Sequence, residues 1–248
     1  MILVEDLGKA FGSFTAVHGV SLDVAPGEIH GFLGPNGAGK TTTIRMIAGL
    51  LKPTRGRVVI DGHDLAREPE AAKRSLGLVP DRPFLYEKLT AAEFLRFHGG
   101  LYGLDGAPVE ARARELLELF ELQAWRDELI ESFSHGMKQR LVLCAAFLHA
   151  PRAVVIDEPM VGLDPRGARL IKDVLRVMSR KGVAILMSTH TLEVAQEMCD
   201  RISIIQGGRI IACGTVDELR VLAGTDDVHL TPVFLKLTGG SGLQEIEL

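Results

Sequence analysis

The run Gly34-Pro35-Asn36-Gly37-Ala38-Gly39-Lys40-Thr41-Thr42 combines a glycine-rich turn with a lysine and two hydroxyls. Glycines at 34, 37 and 39 permit backbone conformations closed to other residues, so successive N–H groups can converge on phosphate oxygens. A helix starting near Lys40 adds the positive end of its dipole. In such a loop the lysine reaches the β- and γ-phosphates of a nucleotide, and the Thr41 hydroxyl can ligate Mg²⁺. The pattern carries this meaning when it lies between a strand and a helix, which is where it stands here. A plain glycine-rich strand-to-helix turn is the alternative.

A second group closes the apolar run Val154-Val155-Ile156 with Asp157-Glu158. Successive strand side chains point to opposite sides, so the two carboxylates have different aims. Asp157 suits Mg²⁺ through water, and Glu158 suits polarising an attacking water. His190 ends the strand-like VAILMSTH, at the carboxyl edge where ligands of parallel sheets gather. There an imidazole can donate to a γ-phosphate, although a lone histidine is more often structural. In Ser134-His135-Gly136-Met137-Lys138-Gln139-Arg140, Ser134 is a plausible helix N-cap and Gly136 leaves N–H groups open to an anion. An ordinary capped helix is the competing reading.

The elements that must hold these groups can be read from periodicity. Ala16 to Val24 alternates loosely, Pro26-Gly27 turns the chain, and Glu28 to Leu33 is a short apolar run; the two read as paired strands. A helix is expected from Thr41 to Leu50, then strands over Arg57 to Ile60 and Leu76 to Val79. Thr90 and Glu93 form a capping box for a helix to about Gly99, Val109 to Phe120 is amphipathic, and Ser134 opens a helix to about His149. Ala153 to Ile156 and Val183 to Met187 are buried strands, separated by a helix that Asp164-Pro165 opens and that runs to about Arg180. Gly207-Gly208 joins Arg201 to Gln206 and Arg209 to Cys213 in a hairpin, and Thr215 with Glu218 caps a last helix. Strands alternating with helices predict an α/β fold with a parallel-sheet core, an antiparallel β flank and an inserted helical lobe.

Bulk properties narrow the class. With 248 residues, 46% of them hydrophobic, the chain can bury a sizeable core. A net charge of −4 gives no electrostatic reason to expect nucleic acid. The cysteines at 144, 199 and 213 lack metal-ligand spacing and read as reduced core thiols of a cytosolic protein. No basic-plus-apolar leader is visible at the N-terminus. The longest apolar stretch, Leu141 to Leu148, falls far short of the roughly 20 residues a membrane span needs. If the protein works at a membrane, another polypeptide crosses it.

Taken in order, these elements resemble the ABC (ATP-binding cassette) ATPase family over roughly Met1 to Leu222. The glycine-rich loop corresponds to that family's Walker A motif, Val154 to Glu158 to Walker B, and Ser134 to Arg140 to its LSGGQ signature. Gly162-Leu163-Asp164 resembles the D-loop and His190 the switch histidine. Phe11 falls where the family places an aromatic that stacks on adenine, with a core phenylalanine as the alternative. The resemblance implies a P-loop NTPase, with an α/β core at 1–82 and 151–222, a helical lobe at 83–150 and a C-terminal extension at 223–248. It implies ATP and Mg²⁺ as cofactors, and Lys40, Glu158 and His190 as catalytic residues. Gly34 to Thr42 would hold nucleotide on one cassette; Ser134 and Gly136 would serve the γ-phosphate of a second. The partners implied are that second nucleotide-binding subunit, identical or paralogous, and a separate transmembrane permease subunit, placing the chain peripherally on the cytoplasmic side of the cell membrane.

Two positions depart from the family. His135 replaces the first signature glycine, adding bulk and a potential donor while Gly136 is kept. Asp81, in Leu78-Val79-Pro80-Asp81, stands where the family has a glutamine that touches Mg²⁺; a carboxylate can do that job with a shorter reach, and a simple turn cap is the alternative. Between Pro83 and Leu104 lie Phe84, Leu85, Tyr86, Phe94, Phe97 and Tyr102, where the family meets its membrane subunit, with filling of the helical lobe as the alternative. The resemblance extends to the compact ABC-2 exporters. A soluble ABC ATPase acting on nucleic acid would carry a long coiled coil or a second cassette, neither of which is present, and a non-hydrolysing scaffold would not need Asp157, Glu158 and His190 together.

Overall fold

The computed structural model describes residues 1–82 and 84–239. Two sheets organise the chain. The first is antiparallel, in the order β2-β1-β4-β5, from β1 (Ile2–Phe11), β2 (Phe14–Val24), β4 (Arg55–Ile60) and β5 (His63–Asp64). The second runs β10-β9-β3-β8-β7-β6, from β3 (Ile29–Leu33), β6 (Leu76–Val79), β7 (Ala153–Asp157), β8 (Ala184–Thr189), β9 (Arg201–Gln206) and β10 (Arg209–Gly214). It is parallel from β9 to β6, with β10 returning antiparallel. That return uses Gly207 and Gly208, both at positive φ, as a two-residue hairpin requires.

The expected pairing of Ala16–Val24 with Glu28–Leu33 is not formed. β2 pairs with β1, whereas β3 is flanked by β8 and β9 in the other sheet. Burial explains the separation. All five residues of β3 are buried, as are those of β7 and all of β8, so these strands need cover on both faces. β2 has exposed positions along its length and suits a flank.

Helix α1 (Lys40–Ile47) follows β3, and the short α2 (Pro69–Arg74) precedes β6. Between β6 and β7 come α3 (Ala91–Leu101), α4 (Gly106–Leu119) and α5 (His135–Leu148). The Thr90–Glu93 capping box is formed in both directions. α5 buries Leu141 to Leu148 without interruption, which is why the longest apolar stretch is a core helix. Phe94, Leu116, Leu141 and Phe147 join Ile156 and Met187 in one apolar core beneath these helices. A second core lies between the two sheets, where Val4, Val20 and Ile60 meet Phe32, Ile47 and Leu186.

α6 (Pro165–Arg180) links β7 to β8, with Asp164 capping the Gly167 N–H at 2.9 Å. α7 (Leu192–Met198), α8 (Val216–Ala223) and α9 (Leu230–Leu237) finish the fold. Part of the segment read as an extension is therefore helical. α9 buries Leu230 and Val233 against Ala195, Ile202 and Leu219. Residues 240–248 of that segment lie outside the described residues. No helix among the described residues is long and apolar enough to cross a membrane.

Candidate active site

β3 delivers the chain to a tight turn before α1. At Gly34 an added Cβ would lie 2.3 Å from the Ile205 carbonyl oxygen, so backbone approach alone excludes a side chain. Gly39, at φ 105°, caps α1 in a left-handed conformation. Lys40 is buried, and its Nζ donates to the carbonyls of Gly34 at 2.6 Å and Pro35 at 3.2 Å. The lysine is thus folded over its own loop. Burial pulls its pKa down, against the opposing charges of Glu158 and Asp157.

Asp157 ends β7 and is buried, accepting a hydrogen bond from the Ser188 hydroxyl of the neighbouring β8. Glu158 leaves the strand at φ 52°, a left-handed conformation unusual for glutamate. Its N–H donates to Ser188 O at 3.3 Å and Ser188 Oγ at 3.2 Å, fixing the turn. The turn brings Glu158 Oε1 within 2.9 Å of His190 Nδ1, just past the end of β8. One serine therefore positions both carboxylates. Composition alone did not single out Ser188; a small hydroxyl closing an otherwise apolar buried strand was the available signal.

These groups meet in a cleft of about 510 Å³ lined by Lys40, Thr41, Asp81, Asp157, Glu158 and His190 among others. Pro35, Asn36, Gly37, Gly39 and Thr42 also line it; Gly34 and Ala38 are buried behind them. The donors of the acidic side are all oxygens, a set that suits a hard cation. Among the described residues no three His, Cys, Asp or Glu side chains cluster to hold a metal. A bound cation would therefore complete its shell with water and phosphate oxygens, as Mg²⁺ commonly does.

Phe11 is half-exposed, with Lys9 Nζ 5.1 Å from its ring centroid, and is not among the residues lining the cleft. Its cross-strand partner Phe14 lines the cleft instead. The sequence signal for Phe14 was its place on the other side of the same Gly12-Ser13 turn. Ser134 and Gly136 also lie outside the cleft. Ser134 caps α5 by accepting the Met137 N–H at 3.3 Å, and Ser134 and His135 are exposed. The His135 ring turns to the loop after β7, with Nε2 3.2 Å from Val161 O.

A second, larger depression of about 860 Å³ lies beside α3, lined by Phe84, Leu85, Tyr86, Leu89, Phe97 and Lys138 with Glu87 and Lys88. Phe84, Tyr86 and Phe97 form an edge-to-face run with centroids 5.5 and 5.3 Å apart, all three exposed. The other aromatics expected there divide differently: Phe94 is core, and Tyr102 stacks on His149.

The profile of a family described as "ABC transporter" matches residues 17–161, from β2 through the Asp157-Glu158 turn. The chain belongs to the ABC transporter family. It is an ATP-binding subunit, of the class that hydrolyses ATP to drive transport. It is 40% identical over 92% of its length to the linearmycin resistance ATP-binding protein LnrL of Bacillus subtilis, of which it covers 73%. It is equally identical, over 92% of its length and 72% of the relative, to the daunorubicin resistance ATP-binding protein DrrA3 of Streptomyces coeruleorubidus. Among solved structures, the ATP-binding subunit of an ABC transporter superposes with a TM-score of 0.90 at 38% identity, covering 96% of this chain and 99% of that one. The cassette fold is that of a P-loop NTPase with a mixed α/β core.

Proposed function

We propose that the chain works as the motor of an exporter, with ATP held between the cleft of one cassette and the capped α5 terminus of a second. The carrying observation is the separation within one chain: the Lys40 loop, Asp157, Glu158 and His190 share a cleft, while Ser134 and Gly136 sit elsewhere. An exposed helix terminus with free N–H groups suits a phosphate brought by another subunit. In this reading residues 1–82 and 151–222 form the nucleotide core, 83–150 the lobe that carries α5, and 223–248 an extension.

The roles follow from position. Lys40 and the Gly34–Thr42 loop hold the phosphates. Thr41 and Asp157, with Asp81 in the cleft lining, would hold Mg²⁺, which would supply neutralisation of phosphate charge. Glu158 accepts a proton from the attacking water, and His190, whose Nδ1 lies 2.9 Å from Glu158 Oε1, holds its orientation and donates toward the γ-phosphate. Phe11 and Phe14 flank the adenine side, Phe14 from within the cleft.

The aromatic depression of Phe84, Tyr86 and Phe97 is proposed as the seat of a short helix of a separate permease, which would hold the chain on the cytoplasmic face of the cell membrane. Export is supported by the relatives, two of them named for linearmycin and daunorubicin resistance and another for Nod factor export, and by the resemblance to ABC-2 exporters. Replacing Glu158 by Gln should leave ATP binding intact and lower turnover by about 10²–10⁴-fold. Steady-state phosphate release at the parental rate would refute the assignment of the base.

A further inference from the structure

His135, which replaces the first signature glycine, joins two parts of the machinery inside one chain. Its Nε2 lies 3.2 Å from Val161 O. A carbonyl has no hydrogen to give, so the ring is the donor and its Nε2 carries a proton. That hydrogen is taken up by the loop after β7 instead of standing open to a phosphate. The loop is fitted to the ring. Gly162 follows at φ 72°, and a Cβ added there would lie 3.1 Å from both Cδ2 and Nε2 of His135. A Cβ added at Gly136 would meet Leu163 Cδ2 at 3.4 Å, so the same loop also lies against the first turn of α5.

Val161 gives this contact its reach. It lines the nucleotide cleft with Lys40, Asp157, Glu158 and His190. Its N–H donates to Glu158 O at 3.4 Å, and the Glu158 N–H is held in turn by Ser188. At the far end of the loop Asp164 caps α6. From His135 to Glu158 the path is one hydrogen bond, Val161 and the turn that the Val161 N–H closes.

We propose that His135 is a positioning residue for hydrolysis, pinning the α5 terminus to the Glu158 loop of its own chain, an inference that rests on the split-site reading above. In that arrangement Ser134 and Gly136 face the ATP of a second cassette, while Glu158 acts on the ATP of its own. A fixed link between them sets how both meet their phosphates when two chains close. Without the link each must be ordered separately at that step, and misplacement by about 1 Å is costly to turnover. The loss falls on turnover and not on nucleotide affinity, because the Lys40 loop holds ATP in the single chain.

The test compares His135→Phe, which keeps an aromatic ring and loses the donor, with His135→Gln, whose amide N–H can reach the same carbonyl. Phosphate release at saturating Mg·ATP should fall about 3–10-fold in the phenylalanine variant, the scale of one hydrogen bond, and recover to within about twofold of the parent in the glutamine variant. ATP affinity of the isolated chain should stay at the parental value in both. Parental turnover in His135→Phe, or an equal fall in His135→Gln, overturns the proposal. Light scattering of Glu158→Gln with ATP and Mg²⁺ tells this failure from failure of the split site. Cys213 is exposed on the edge strand β10, not the core thiol expected from the sequence, so the mass is measured with a thiol reductant present. A single-copy mass refutes the split site and the proposal with it; a doubled mass with parental turnover in His135→Phe refutes the part of the histidine alone.

Discussion

Helices α1 and α5 both begin with backbone N–H groups able to meet an anion, yet their surroundings differ. α1 opens inside the cleft, beside a buried lysine and across from Asp157, Glu158 and His190. α5 opens on the surface, where Ser134 completes a local cap and His135 leans on Val161 O. A helix terminus alone is worth only about 0.3–1 kcal/mol toward a charge. In the arrangement proposed above, the first terminus holds nucleotide within one chain, and the second adds a contact once another chain has brought it. On that proposal the same dipole serves two functions because its neighbours differ.

The sharpest way to break this distinction is at Lys40. Lys40→Ala should weaken ATP binding to the single chain by about 10–100-fold, the cost of a charge-assisted contact, as isothermal titration calorimetry can measure. Ser134→Ala should act oppositely. ATP affinity of the isolated chain should stay at the parental value while turnover falls roughly tenfold, the equivalent of about 1.4 kcal/mol of lost contact. Equal losses of single-chain affinity in both variants would erase the difference between the two helix ends.

A smaller effect tests whether α5 is held firmly enough to present its terminus. His149, just past its end, stacks on Tyr102 at 3.8 Å and donates to Leu76 O at 3.2 Å. Burial depresses its pKa from 6.5 to about 4, with Leu76 opposing and His98 assisting. The unfolded chain thus takes up this proton before the folded one does. The associated stability is full above about pH 6.5 and is lost as pH falls toward about 4. His149→Phe keeps a ring against Tyr102 and removes the titration. Denaturant unfolding should show a shallower decline over that interval in the variant than in the parent.

Much of the cleft was legible because its chemistry is local. Gly34 to Thr42, Asp157-Glu158 and His190 each end a strand or open a helix, and short-range patterning marks such boundaries. Both capping boxes, at Thr90 and Thr215, formed as the residue types dictate. What escaped was non-local. Ser188 is 31 residues from Asp157, and only the β7–β8 register makes it the shared anchor of both carboxylates. Strand partnership failed for a similar reason: adjacency in sequence favoured joining β2 to β3, while burial on both faces took β3 into the other sheet. Phe14 lines the cleft and its cross-strand partner Phe11 does not, a distinction spacing cannot make.

The split-site account is tested most directly by mass. Glu158→Gln, which retains ATP, should double its molar mass by light scattering when ATP and Mg²⁺ are added, and the doubling should vanish when Ser134→Ala is combined with it. A chain that binds ATP under these conditions yet remains a single copy would contradict the claim that its nucleotide is shared between two cassettes.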